Sequence, residues 1–247
     1  MEQEKRTVRA VERALDVLLC FTKKAEWGLT EIAQQTGLHK STVHRLLTTL
    51  ESRGFVVRDE RAEKIRLGLR ILELSSNLSR EGDLSIVLLP EMVRLRDEVG
   101  ETVSLYVRDR GERVRIQAVQ SEQVIRRVAT VGARLPLSVG ASSKVLMAFA
   151  DEADRRAVLS DPDWPETVDQ AQFLKQLEDI RECGYATSSE EREPGAAAVA
   201  APIFNRGGNL IAALAVSGPS NRLTPEVMRA HAPAIVEAAK RMGQLLG

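Results

Sequence analysis

The residues best placed to do chemistry in this 247-residue chain lie between Lys40 and Thr49, KSTVHRLLTT. On a helix, Val43, Leu46, Leu47 and Leu50 fall within about 100° of arc. The opposite face carries Ser41, Arg45 and Thr48, flanked by Lys40, His44 and Thr49, with no carboxylate until Glu51. A solvated helix usually mixes Glu with Lys on its outer face. A cationic, hydroxyl-rich, acid-free face instead supplies donors for phosphates and groups that meet base edges in a major groove. Arg45 and His44 are the expected base or phosphate readers, and Lys40, Ser41 and Thr42 the expected backbone anchors. Thr48, and Thr30 at the N-cap of the preceding helix, complete the expected DNA-facing set.

A second group is built from small residues. Pro136 to Ser143 and Ser188 to Ala201 are rich in Gly, Ala and Ser, and GAAAVAAP (Gly195 to Pro202) sets small side chains on both faces of a strand. Such a row either lets a helix pack close to the sheet or leaves space for a small ligand. Ser138, Ser142, Ser188, Ser217 and the N–H groups at helix starts are then available to hold a carboxylate. Covalent catalysis finds little support. GASSK from Gly140 lacks the second glycine of a nucleophile elbow, and Ala141 stands where an S-x-x-K pair needs serine. There is no Walker loop and no G-x-G-x-x-G, and the only histidine beyond residue 80 is His231. The carboxylates of SSEERE (Ser188 to Glu193) read as a polar loop tip. Cys20 and Cys183 form no CxxC and have no histidine at metal-ligand spacing. No catalytic residue, metal or cofactor is expected. The competing reading is a metabolic enzyme with an appended DNA-binding module, and a third is an architectural protein.

These groups need scaffolds to position them. Leu29, Ile32 and Ala33 mark a short helix, Gly37 supplies a turn with φ > 0, and Leu38 plugs the corner before a second helix over Lys40–Ser52. After Gly54, FVVR and IRLG read as two strands around the charged turn from Asp59 to Lys64. Helix, turn, helix and hairpin spell a winged helix-turn-helix. Arg58, Arg61, Lys64 and Arg66 of the wing add positive charge, the first three as expected phosphate contacts, diluted by Asp59, Glu60 and Glu63. An amphipathic helix over Val8–Thr22 is expected to bury Val11, Leu15, Leu18 and Leu19, broadened by Ala14 and Phe21, beneath the pair, with any surplus at Val8 and Val11 left for a partner chain. LRILELSSNLSR then reads as a connecting helix whose apolar edge suits its own copy in a second subunit, ended by Gly82 and Asp83.

Beyond that boundary, Leu84–Val99 is a helix broken by Pro90. TVSLYVRD, RVRIQAVQS and VIRRVATVG alternate as three strands, and Ser142–Ala150 reads as a helix with a serine cap. Helices over Asp151–Ser160 and Ala171–Glu182, strands over Tyr185–Ser188, Ala198–Phe204 and Asn209–Ser217, and a closing helix over Thr224–Leu246 follow. The expected class is α+β in two domains, as the length suggests. Zero net charge hides an asymmetry: residues 1–80 carry 15 Lys and Arg against 11 Asp and Glu, and the remainder 20 against 24. A basic front half and an acidic back half suit a DNA-binding module joined to something that does not touch DNA. The charged start has no signal-peptide core and no stretch is long enough to span a membrane, so a cytoplasmic protein is expected.

The stretches VRAVERALDVL, LTEIAQQTGLHKSTVHRLLTTLESRGFV, IRLGLRILEL, GETVSLYV, IRRVATVGARLPLSVGASSKVLMA and EREPGAAAVAAPIFNRGGNLIAALAVSGP, in this order and spacing, closely resemble the IclR family of bacterial transcription regulators. The resemblance covers nearly the whole chain. It implies a winged helix-turn-helix over residues 1–68, a linker helix over 69–82 and a GAF/PAS-like effector-binding domain over 83–247. It also implies a homodimer or homotetramer on a palindromic double-stranded operator, responding to a small-molecule effector, often an organic or aromatic acid. By motif position the effector would meet Gly140, Ala141, Ser188, Ala196, Ala198, Ala215 and Ser217. Ser188 stands where an acidic residue can occur, and Ala198 and Ala215 replace larger or polar groups, so a roomier and less polar pocket suited to a hydrophobic or aromatic acid is expected. His39 is a further departure, since serine or proline is usual there; its imidazole is expected to cap the recognition helix or reach a phosphate.

Overall fold

A turn that only glycine enters cheaply fixes the helix pair of the first unit. Gly37 sits at φ +67°, in the left-handed region where a Cβ is penalised. It separates α2 (Leu29–Thr36) from α3 (Lys40–Ser52), which runs over the residues the apolar spacing selects. The computed structural model describes residues 7–59, 62–76 and 84–246. By contacts the chain divides into two compact units, Met1–Glu81 and Gly82–Gly247. In the first, α1 (Arg9–Cys20), β1 (Glu26–Trp27), α2, α3, β2 (Val56–Asp59) and β3 (Lys64–Leu67) are followed by α4 (Arg70–Ser76). The wing is a three-stranded antiparallel sheet in the order β1-β3-β2. Its first strand, two residues long and packing Trp27 into the core, is too short to be read from sequence. Val17, Cys20, Ile32, Val43, Leu47, Val56 and Ile65 fill the centre.

Two expectations for this unit fail. Thr30 is not the cap of α2: Gly28 is, and the Glu31 carboxylate accepts from the Gly28 N–H at 2.6 Å, leaving Thr30 in the first turn. The buried stripe of α1 is also not the expected one. Phe21 goes inward and Leu18 partly so, as read, but with Val17 and Cys20 beside them, while Val11, Leu15 and Leu19 are each more than half exposed. The helix carries apolar residues on two sides, and periodicity alone does not say which side meets α2 and α3.

In the second unit α5 (Leu84–Val87) and α6 (Leu89–Val99) are the two pieces expected around Pro90. Then come β4 (Thr102–Asp109), β5 (Glu112–Val119), β6 (Arg134–Pro136), α7 (Ala141–Ala148), α8 (Glu152–Leu159), α9 (Gln170–Cys183), β7 (Ala186–Ser189), β8 (Ala196–Phe204), β9 (Leu210–Pro219) and α10 (Pro225–Gln244). The six strands form one antiparallel sheet, β6-β5-β4-β9-β8-β7. One face packs Val103, Leu105, Val199, Ile203, Leu214 and Val216 against α6 and α10. The other packs Tyr106, Ala200, Ala213 and Ala215 against α7 and α9. A two-sided sheet needs apolar residues at consecutive positions, which is why AAAVAAPIF and LIAALAV lack clean alternation.

The strand expected over Val124–Gly132 does not form. Its carbonyls are taken by side chains instead: Thr102 Oγ1 donates to Arg127 O at 2.9 Å, Arg222 Nη2 to Ile125 O at 3.0 Å and Arg115 Nη1 to Thr130 O at 3.1 Å. The place beside β5 goes to β6, a few residues later. The serine cap of α7 also fails. Gly140, at φ +96°, is its N-cap, and Ser142 and Ser143 are already inside the helix.

Candidate functional site

The outer face of α3 emerges as its composition predicts. Lys40, Ser41, His44, Arg45, Thr48 and Thr49 are exposed, while Thr42 is half-buried. No carboxylate lies in the first turn. Among the described residues neither Lys40 nor Arg45 forms an ion pair, whereas Lys64 lies 3.4 Å from Glu31 and Arg58 4.0 Å from Glu51. Among the described residues Lys40 and Arg45 of the helix and Arg66 of the wing are therefore without a carboxylate partner, while Lys64 and Arg58 are partly neutralised. Thr48 donates its hydroxyl back to His44 O at 2.9 Å and offers only its lone pairs outward. Arg61 lies outside the described residues.

His39 is the N-cap of this helix. Its Nδ1 accepts from the Ser41 N–H at 3.3 Å and lies 2.8 Å from Ser41 Oγ. This satisfies one of the orphan donors of the first turn. His39→Ala is expected to destabilise the first unit by about 1 kcal/mol and to weaken DNA binding with it, while His39→Asn restores both. Thermal melts paired with a DNA titration check this; equal melts for wild type and alanine variant would remove the capping role.

The second candidate lies on the α7 side of the sheet. All seven residues placed there by motif position, Gly140, Ala141, Ser188, Ala196, Ala198, Ala215 and Ser217, line one cavity. The alanine row serves both of its readings. Ala197 and Ala201 face the α10 core, Ala200 packs on the other side, and Ala196 and Ala198 leave the space that forms the cavity wall. Ser138, also suggested by composition, is instead part of a neighbouring concavity.

The cavity is neither roomy nor weakly polar. Its volume is about 60 Å³, well under the ~150 Å³ of an engineered cavity that takes benzene. The same lining includes Tyr106, Arg113, Arg115, Arg127 and Arg192. Arg113 is 4 % exposed and Arg115 5 %. Arg113 Nη1 donates to Pro136 O at 2.9 Å and to Val139 O at 2.6 Å, and its Nε is buried with no partner. Burial pushes the Arg113 guanidinium down to about 10, still protonated at neutral pH. Arg115 grips the Tyr106 hydroxyl with Nε at 3.0 Å and Nη2 at 2.6 Å. A Cβ on Gly140 would come within 2.9 Å of Arg113 Nη2, so the glycine lets this guanidinium lie against the start of α7.

The loop read as a polar tip is also structural. Glu191 accepts from Lys144 Nζ at 2.6 Å and from the Gly140 N–H at 2.9 Å, which ties the loop to the first turn of α7. Lys144 is 4 % exposed. Glu193 pairs with both Arg127 and Arg192. Among the described residues no helix is long and apolar enough to cross a membrane, and no cluster of three or more His, Cys, Asp or Glu side chains could hold a metal ion.

Comparison with known proteins agrees with this architecture. Residues 10–60 match the family model of the IclR helix-turn-helix domain, and residues 78–244 that of the bacterial transcriptional regulator IclR C-terminal domain. The HTH-type transcriptional regulator BhcR of Paracoccus denitrificans is 32% identical over 240 residues, covering 95% of this chain and 86% of its own. An IclR transcriptional regulator from Alicyclobacillus acidocaldarius superposes with a TM-score of 0.81 at 27% identity, covering 98% of this chain and all of its own. An IclR homologue from Microbacterium hydrocarbonoxydans, solved with 4-hydroxybenzoate, superposes with a TM-score of 0.75 at 26% identity, covering 93% of this chain and 98% of its own.

Proposed function

The chain belongs to the IclR family of transcription regulators, and from that premise we propose that it binds a palindromic operator as a dimer or tetramer and releases or engages it in response to a small organic or aromatic acid held by residues 83–247. It is a regulator with a helix-turn-helix and a C-terminal effector domain, not an enzyme. The reading of α3 as the base-reading helix rests on one observation above others: its exposed face holds Lys40 and Arg45 free of carboxylates. Anchoring contacts from Ser41, Thr42 and Thr30 and wing contacts from Arg58, Arg61 and Lys64 belong to the same proposal. Self-association draws support from the apolar residues of the first unit that have no cover. Val8, Val11, Leu15 and Leu19 by α1 and Leu69, Leu72 and Leu74 by α4 are all more than half exposed. Two such modules related by a two-fold axis read two half-sites, which makes the operator palindromic. Action on DNA places the protein in the cytoplasm.

The effector role rests on the buried arginines facing small residues across a small cavity. Native mass spectrometry of the purified protein, followed by operator binding with and without any co-purified molecule, tests both halves. A dimer or tetramer whose operator affinity shifts with the ligand is expected. Monomers that bind every sequence alike would defeat the regulator reading, and operator binding indifferent to a molecule held in the cavity would defeat the sensor.

A further inference from the structure

The cavity holds more positive charge than one carboxylate would neutralise. Four guanidiniums line it, those of Arg113, Arg115, Arg127 and Arg192, against the single lining carboxylate of Glu193. Glu193 is shared by Arg127 and Arg192. Glu191, whose charge also acts on Arg113, is hydrogen-bonded to Lys144 and the Gly140 N–H. Among the described residues, neither Arg113 nor Arg115 forms an ion pair. A guanidinium carries five N–H donors. Arg113 uses Nη1 on two backbone carbonyls and Arg115 spends three bonds on Tyr106 and Thr130, so both have donors to spare. A buried cation without a partner is costly and persists where something else supplies the charge.

Further polar groups lie in or beside the cavity. Ser104 Oγ is fully buried without a partner; it is not in the lining itself but on a β4 residue whose register partner Ala215 is. Ala141 and Ser142, also in the lining, sit in the first turn of α7, where N–H groups have no intrahelical acceptor and the helix dipole favours an anion.

We propose that the ligand is a small aliphatic dicarboxylate. One carboxylate meets Arg113 and the start of α7, and the other meets the Arg115, Arg127 and Arg192 side. This inference rests on reading the cavity as the effector site and deepens it. Two negative charges match the two buried guanidiniums that lack carboxylates, and the small cavity calls for a short spacer between them. The alanines then contact that spacer.

The test is calorimetric titration of the full chain with malonate and succinate, set against propionate, inorganic phosphate and benzoate. Operator binding is measured in parallel at constant ionic strength. At least one dicarboxylate is expected to bind tenfold or more tighter than propionate or benzoate, with Arg113→Gln abolishing that preference. Because Arg113 also braces Pro136 and Val139, Arg192→Gln provides a second variant that does not rely on it. Its loss is expected to weaken the preferred dicarboxylate severalfold more than propionate. Benzoate, phosphate or propionate binding as tightly as the dicarboxylates overturns the ligand class, as does a folded protein that binds none of them. A dicarboxylate that binds tightly and leaves operator affinity unmoved upholds the ligand class and overturns the effector reading instead.

Discussion

Arg45→Ala is expected to cost about 1–3 kcal/mol of operator affinity and to flatten discrimination at one position of each half-site. The expectation follows from where the side chain stands. It is exposed on the outer face of α3, opposite the buried Val43, Leu47 and Leu50, with no competing carboxylate. A guanidinium so placed can make a bidentate contact with a guanine edge, which an alanine cannot replace. Lys40, in the first turn, is the contrasting case. Lys40→Ala is expected to weaken all sequences alike and to lower the slope of log affinity against log salt by about 1, because it removes one phosphate contact and its counterion release. Titrating both variants on operator and scrambled DNA at several salt concentrations separates the two. Equal losses on both DNAs for Arg45→Ala would reassign it as a phosphate contact, and no loss at all would mean that α3 does not present this face.

How much of this was open to sequence reading depends on whether the deciding force was local. The turn and the second helix of the pair were legible because Gly37, His39 and the Val43–Leu50 stripe act within a few positions of each other, whereas the cap of the first helix was misplaced. The pieces around Pro90, the α9 helix and the β8–β9 hairpin were legible for the same reason. Trp27 and the α1 stripe were not. A two-residue strand exists only because β3 is there to pair with it, and α1 chooses its inner face by what packs against it.

The cavity divides the same way. Its small residues were placed by the family resemblance, on motif position alone. Its arginines were missed, although their spacing was in view. In RVRIQAV the apolar residues alternate with Arg113 and Arg115, and the usual rule turns the arginines to solvent. Here the burial is reversed: Arg113 and Arg115 are buried while Val114 and Ile116 are only half so. The inversion depends on long-range partners. Tyr106 from the neighbouring strand and the carbonyls of Pro136 and Val139 must all arrive before a guanidinium can be buried there. Two arginines at i and i+2 on a strand facing a Gly-Ala-Ser helix start were the signal available, and it pointed to an anion.

The largest stability change is expected at Gly243, near the end of α10. A Cβ built there would lie 2.0 Å from the carbonyl oxygen of Phe204, so the clash is with backbone and no flexible side chain can yield. To admit a methyl group α10 must withdraw from β8, loosening Ala238, Ala239 and Met242, all of which are buried in the core between them. Overpacking of this kind costs about 1–3 kcal/mol and sometimes more; in a unit of this size that lowers Tm by roughly 2–12 °C. Gly111→Ala is the control. It lies in the β4–β5 turn, without a positive φ, and a methyl group added there would meet nothing within 4 Å, so its Tm should match the wild type. Phe204 ends β8, and Ala196 and Ala198 of the cavity wall begin it. At about 3.3 Å per residue the disturbance is some 20 Å or more from the ligand. Gly243→Ala is therefore expected to melt early while its folded fraction keeps wild-type ligand affinity. A variant that melts with Gly111→Ala would show that α10 can shift without cost. One that loses ligand affinity while folded would mean that strain in β8 travels its full length, making the α10 contact part of the sensing apparatus and not only of its support.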